Sequence, residues 1–244
     1  MPEFLLFYQR YSNMKNLFIA LILTFFTVSF AYTDDNIFYT HGNSHEKKIA
    51  LTFDDGPGNN TDYILNVLKE KNVKATFFIL AVNVINRENT LKRIYDQGHE
   101  IASHTYNHIN FHRIKEMDKL YEEIFSELKL AEIAIKDVLG FYPVLVRYPH
   151  GYTGQTAFKI AKENGYKVIN WTFGCDWHAE IEKEQMFQMY KANVQNGYIL
   201  LMHDSQDISK LKYFLPKVID YAKENGFEIV TVSELLNLKK ETTN

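Results

Sequence analysis

The segment KIALTFDDGP, Lys48 to Pro57, decides how this chain reads. Its apolar residues Ile49, Leu51 and Phe53 alternate, the period of a strand with a buried face, and the run ends in a Gly-Pro turn. Two adjacent carboxylates, Asp54 and Asp55, therefore stand where strand gives way to turn. Neighbouring strand residues point in opposite directions, so one carboxylate can bind a metal while the other faces a substrate water. An isolated Asp-Asp-Gly serves equally well to cap the helix that begins near Thr61, so the rest of the chain has to arbitrate.

Outward from this strand, helix-like and strand-like segments alternate. Ile64, Leu65, Val67 and Leu68 share a helical face, and Lys74 to Leu80 is an apolar strand. A helix near Asn89 to Gln97 ends at Gly98, and Glu100 to Ser103 is a short strand. Helical spacing then runs from Met117 to Leu139 and closes at Gly140. Val144 to Arg147 reads as a strand, Thr156 to Asn164 as a helix and Tyr166 to Phe173 as a strand. A helix over Lys183 to Gln195, a strand over Tyr198 to Met202, a helix over Phe214 to Glu224 and a strand over Phe227 to Val232 complete the pattern. Strict β/α alternation predicts an α/β fold with a parallel sheet, and six or more such units in one domain predict a (β/α) barrel, distorted or incomplete, with seven to eight strands.

Six polar residues, Asp54, Asp55, His104, Arg147, Asp176 and His203, fall just after strand segments. That is the C-terminal mouth of a barrel, where catalytic residues gather. Scattered structural polar residues would have no reason to share the position.

Composition sets outer bounds. The chain has 244 residues, 46% hydrophobic and 15% aromatic, which is a globular make-up. A net charge of -3 without a long basic run argues against a nucleic-acid partner, and nothing implies a protein partner. Cys175 is the only cysteine, so an intramolecular disulfide or a cysteine metal cluster is excluded. Met14-Lys15-Asn16 precedes an apolar run from Leu17 to Phe30 and the small residues Ser29 and Ala31, the pattern of a secretory signal cleaved after Ala31, with Met14 the natural start. An uncleaved membrane anchor is the weaker reading, because a span needs about 20 apolar residues. The expected organisation is an upstream segment and signal over 1–31, a polar linker over 32–47, the catalytic domain over 48–236 and a polar tail over 237–244, with the domain exported.

The remaining motifs follow strands. HTYNH, His104 to His108, offers two imidazoles four apart that would face the same way on a helical turn and chelate one ion; with no Glu after the first His it is not a zinc-protease helix. His41 and His45 have the same spacing, and spacing alone does not choose between the pairs. RYPHG, Arg147 to Gly151, supplies an arginine that can pair with an acid and a stiff loop whose N–H groups can face a ligand. GCDW, Gly174 to Trp177, and LMHD, Leu201 to Asp204, end two further strands.

Together these five segments resemble the polysaccharide deacetylase family, also called the NodB homology domain or carbohydrate esterase family four, in the family's motif order from about Lys48 to Leu236. The resemblance implies Asp54 as general base; Asp55, His104 and His108 as ligands of a divalent ion; and Arg147 orienting Asp54. It further implies the backbone at His150 as part of an oxyanion hole, Asp176 tuning the acid, Trp177 and Leu201 lining the acetyl pocket, and His203 as general acid. Two departures stand out: the family usually has Tyr where His150 stands, and WTFGCDW, Trp171 to Trp177, carries Gly174 and Cys175 where another acid is common and is a residue short.

Two imidazoles and a carboxylate suit zinc best, with cobalt, nickel and manganese as alternatives. The implied activity is metal-dependent removal of N-acetyl groups from an extracytoplasmic polysaccharide such as peptidoglycan, a chitin-like polymer or an exopolysaccharide. An O-acetyl esterase using the same site is the nearest alternative, and a silent carbohydrate-binding barrel a more distant one.

Overall fold

Strand β2, Lys48–Gly56, holds the centre of the sheet because each of its faces has a different job. Ile49, Leu51 and Phe53 pack with Phe77, Leu200 and Met202 into the core that lies under the helices. Ala50, Thr52 and Asp54 point the other way, into the interior of the curl, where Ala50 joins Phe78, Ala102 and Ile199. The alternation read from the sequence is thus an outside–inside alternation of a barrel wall.

The computed structural model describes residues 36–238. The expected signal and start site at Met14, and the tail beyond residue 238, lie outside the described residues. Elements follow in the order β1 Phe38–Tyr39, β2, α1 Thr61–Glu70, β3 Thr76–Ile79, α2 Glu88–Asp96, β4 Glu100–Ser103, α3 Met117–Leu139, β5 Leu145–Val146 and α4 Gln155–Glu163. Then come β6 Lys167–Ile169, β7 Phe173–Gly174, α5 Lys183–Ala192, β8 Ile199–His203, α6 Ile208–Glu224, β9 Glu228–Val230 and α7 Val232–Leu235. No helix among the described residues is long and apolar enough to cross a membrane.

All pairings between these strands are parallel, in the spatial order β1-β6-β5-β4-β3-β2-β8-β7, with β9 joining the start of β2. The result is a curled α/β half-barrel, the expected distorted (β/α) barrel: eight strands on one continuous path and a ninth beside it.

Three details differ from the sequence reading. The stretch expected to be a linker contributes a stave from residue 36 on. Strand β1 pairs with β6, Tyr39 O accepts from Asn170 N at 2.8 Å, Thr40 O from the Thr172 hydroxyl at 2.7 Å, and His41 bridges to Tyr198. Phe38 is drawn in by Phe158, with ring centroids 5.3 Å apart. The strand expected over Tyr166–Phe173 is broken between Ile169 and Phe173, because the carbonyls of Ile169 and Asn170 accept from the Arg147 guanidinium. Helix α6 begins at Ile208 rather than Phe214, where the Asp207 side chain caps it by accepting from Ser209 N at 2.8 Å.

Candidate active site

Strand β2 delivers both carboxylates to one place. Asp54 keeps strand pairing with Phe78 and His203, whereas Asp55 bulges out of register with β3 and takes φ +70°, the left-handed region. Simple strand alternation would have sent the two side chains apart; the bulge turns both into one cleft. Gly56 follows because the space is taken: a Cβ there would lie 2.6 Å from Asp204 Oδ2. Asp204 is fully buried and holds the turn through the N–H groups of Gly58 and Asn60 and the Thr61 hydroxyl.

The two histidines of HTYNH also converge by a route other than the expected helical turn. Residues 104–108 form an irregular loop with left-handed residues at Thr105 (φ +66°) and His108 (φ +61°). Non-glycine residues in this region are strained and cluster at functional sites. Here they bring His104 Nε2 and His108 Nε2 each to 3.6 Å from Asp55 Oδ1. The ligand atoms of Asp55, His104 and His108 all lie within 4.8 Å of one another, the single such grouping among the described residues; His41 and His45 form none.

These three side chains fit a cation. Asp55 Oδ1 is buried with no hydrogen-bond partner, an arrangement that is costly unless a positive charge faces it. Its other oxygen accepts from Ser205 Oγ at 2.9 Å. Burial opposes ionisation of Asp55, but His104, His203, His108 and Ser205 outweigh it and hold the carboxyl below its usual range. His104 Nδ1 lies 2.7 Å from the carbonyl of Arg147, which can only accept, so Nδ1 carries the proton and Nε2 presents its lone pair. Burial and the neighbouring His104 push the His108 imidazole down, favouring the neutral, ligating form.

Behind the cluster lies Arg147, fully buried. Its Nη1 donates to Asp54 Oδ1 at 2.7 Å and to Thr52 Oγ1 at 2.9 Å, and its guanidinium carbon sits 3.9 Å from the centre of the Phe78 ring. Bonds to Ile169 O and Asn170 O complete its environment. Asp54 is thereby fixed with Oδ2 facing His104 Nε2 at 3.7 Å.

Beside Asp54, as its register partner on the adjacent strand, His203 ends β8. Its Nδ1 is 2.8 Å from Asp176 Oδ1, and its main-chain N–H donates to Asp176 Oδ2 at 2.6 Å. Burial pushes the imidazole down, but Asp176, then Asp54 and Asp55, outweigh it and raise the group to about 9. The shortened WTFGCDW segment therefore still delivers Asp176 to His203. Trp177 stands edge-on to that ring at 5.5 Å.

All expected site residues except Arg147 and Asp176, which support from behind, line one cleft of about 460 Å³. His150 takes φ +57° in the loop Pro149–Gly151, with its ring 4.8 Å from that of His108. Leu201 and Trp177 supply apolar surface. Sequence reading missed Tyr148, Trp171 and Gln206, which also line the cleft, and Ser205 behind Asp55. Trp171 could have been found as the other tryptophan of WTFGCDW; Ser205 and Gln206 carried no motif signal.

Comparison with known proteins identifies relatives of the whole domain. A family model described as polysaccharide deacetylase matches residues 41–169. A protein named peptidoglycan-N-acetylglucosamine deacetylase from Bacillus cereus is 34% identical over 204 residues, 80% of this chain and 91% of that protein. Among solved structures, a peptidoglycan N-acetylglucosamine deacetylase in complex with 4-naphthalen-1-yl-N-oxidanyl-benzamide superposes with a TM-score of 0.77 at 30% identity, over 87% of this chain and 98% of that one. A pseudoenzyme of carbohydrate esterase family four from Bacillus anthracis is also similar, with a TM-score of 0.73 at 27% identity, over 81% of this chain and 68% of that one.

Proposed function

The chain belongs to the polysaccharide deacetylase family, and from that premise we propose that it is a metal-dependent hydrolase removing N-acetyl groups from amino-sugar residues of a polysaccharide outside the cytoplasm, with peptidoglycan as the favoured substrate. The observation that carries the reading is one cleft in which Asp54, held by Arg147, and His203, held by Asp176, stand side by side next to the cluster of Asp55, His104 and His108. A binding barrel would have no use for two separately oriented proton-transfer groups. The relatives' names favour the amide over the O-acetyl ester.

A divalent ion held by Asp55, His104 and His108 would polarise the amide carbonyl and acidify water, and zinc suits this donor set best, with cobalt, nickel and manganese as alternatives. Asp54 takes the proton from the attacking water, its geometry fixed by Arg147. The main chain at His150 faces the developing negative charge on the carbonyl oxygen. His203 gives its proton to the sugar nitrogen as the carbon–nitrogen bond breaks, so that acetate and a free amine leave. Trp177 and Leu201 enclose the acetyl methyl, and Trp171 and Tyr148 extend the apolar wall.

In this proposal the catalytic domain runs from residue 36 to residue 236 and is exported after cleavage near Tyr32. The deciding experiment is acetate release across acetylated glycans: peptidoglycan, chitooligosaccharides, a β-linked amino-sugar exopolysaccharide and an O-acetylated xylan. Release from the amino-sugar polymers is expected. Release from the xylan alone would make the protein an esterase, and no release from any would leave a binding barrel.

A further inference from the structure

The two imidazoles of the cluster are aimed by different means. His104 is oriented through its own ring, whose Nδ1–H donates to the carbonyl of Arg147. His108 makes no ring hydrogen bond among the described residues: its side chain is 31% exposed, its Nε2 stands 3.6 Å from Asp55 Oδ1, and its ring lies edge-on to those of His104 and His150. Metal-binding histidines usually gain their orientation from an acceptor on the second ring nitrogen. The direction of His108 must therefore come from the main chain that leads into it.

That main chain is gripped by a carboxylate on α3. Glu127 Oε2 accepts from Tyr106 N at 3.0 Å and from Asn107 N at 2.7 Å. The residue is 3% exposed, and among the described residues no lysine, arginine or histidine pairs with it. Its neighbours on the inner face of the helix are Leu120, Ile124, Leu128, Ala131 and Ile135, so an apolar side chain would pack there at far lower desolvation cost. From the opposite side, Ala81 N and Val82 N donate to the carbonyls of Thr105 and Tyr106, 3.0 Å each. Residues 105–107 are clamped between these two anchors, immediately before the left-handed turn at His108.

We infer that Glu127 is a positioning residue for the metal centre: by accepting two consecutive amide N–H groups on one carboxylate oxygen, it sets the main chain from which His108 projects. It does for His108 what the Arg147 carbonyl does for His104. The inference rests on the reading of Asp55, His104 and His108 as the ligand set.

The test measures zinc and cobalt affinity of the metal-free wild type, Glu127→Gln and Glu127→Leu by competition with a chromophoric chelator, with circular dichroism to follow folding. Both bonds end on one oxygen, so a glutamine amide oxygen can take the same position and loses only the charge. The expected result is affinity near wild type in Glu127→Gln, a loss of about 10- to 100-fold in Glu127→Leu, and an altered visible spectrum of its cobalt form, with the fold intact. Equal affinity in Glu127→Leu and wild type overturns the inference. A wild type that binds neither ion overturns the ligand set itself, which separates the two failures. Should Glu127→Leu not fold, amide hydrogen exchange of the metal-free wild type decides: protected amides at Tyr106 and Asn107, less protected in Glu127→Gln, support the clamp, and amides exchanging as fast as an open loop overturn it.

Discussion

Asp54 and His203 are register partners on adjacent parallel strands, so the two groups read as base and acid are held side by side by main-chain pairing rather than by loops. Thr52 ties the same pair of strands one step earlier, its hydroxyl donating to Leu200 O at 3.0 Å while it accepts from Arg147. A site built on neighbouring strands holds its geometry better than one carried on mobile segments.

Asp54 and Asp55 are adjacent yet should fail differently. Asp54→Asn keeps the side chain's size and leaves the three-ligand cluster in place; near-wild-type metal content is expected, with turnover lower by about 100-fold or more. Asp55→Ala should lose the metal, since two imidazoles alone hold an ion weakly. Metal analysis and acetate release on both purified variants check this. Metal loss in Asp54→Asn with retention in Asp55→Ala would exchange the two roles.

His203 acts as an acid only while protonated, so activity falls as pH rises through its folded value, raised to about 9. Asp176 is the principal group opposing burial there, and Asp176→Asn lowers that value. The alkaline limb of the rate profile should move toward lower pH, while the acid limb stays. A pH–rate series on the variant reads this directly, and an unmoved alkaline limb would remove Asp176 from the role.

Arg147 is the most heavily bonded buried cation among the described residues, with donors to Asp54, Thr52, Ile169 and Asn170. Arg147→Met leaves Asp54 buried without its partner and should destabilise the fold by about 3–5 kcal/mol, the scale for breaking a buried ion pair. Arg147→Lys should recover only part of this, because one ammonium cannot reach both carboxylate and carbonyls. Urea denaturation of the two variants compares them.

His99 is 4% exposed, accepts from Ala75 N through Nδ1 at 3.3 Å and stands edge-on to Phe77. Burial, then Lys74, push its imidazole down to about 4 from 6.5. The unfolded chain binds this proton first, so stability is lost as pH falls from about 6.5 to about 4, by about 3 kcal/mol in all. His99→Gln should flatten the curve in that window. Denaturation at pH 7 and pH 4.5 for both proteins measures the difference.

The placement of these residues was legible where side-chain period and main-chain pairing agree. Alternation through Ile49, Leu51 and Phe53 located β2, and the position of polar residues after strands located the mouth of the curl. It was not legible where a distant group overrides local pattern. Arg147 draws the carbonyls of Ile169 and Asn170 out of what reads as a continuous strand. The bulge at Asp55 and the left-handed residues at Thr105 and His108 defeat strand and helix periods, and Glu127 looks like any helical glutamate until the loop it holds is seen.

The stave at residues 38–42 gives the molecule a mechanical grain. Its bonds to β6, to Thr172 and to the turn before β8 lie across the seam of the curl, with Gly42 N donating to Gly197 O at 2.7 Å. A load applied upstream is shared sideways into the wall and arrives at the foot of the strand that ends in His203. A shortened protein beginning at Lys48 would keep every residue of the site and lose the bonds that tie β6 and Thr172 to the turn before β8.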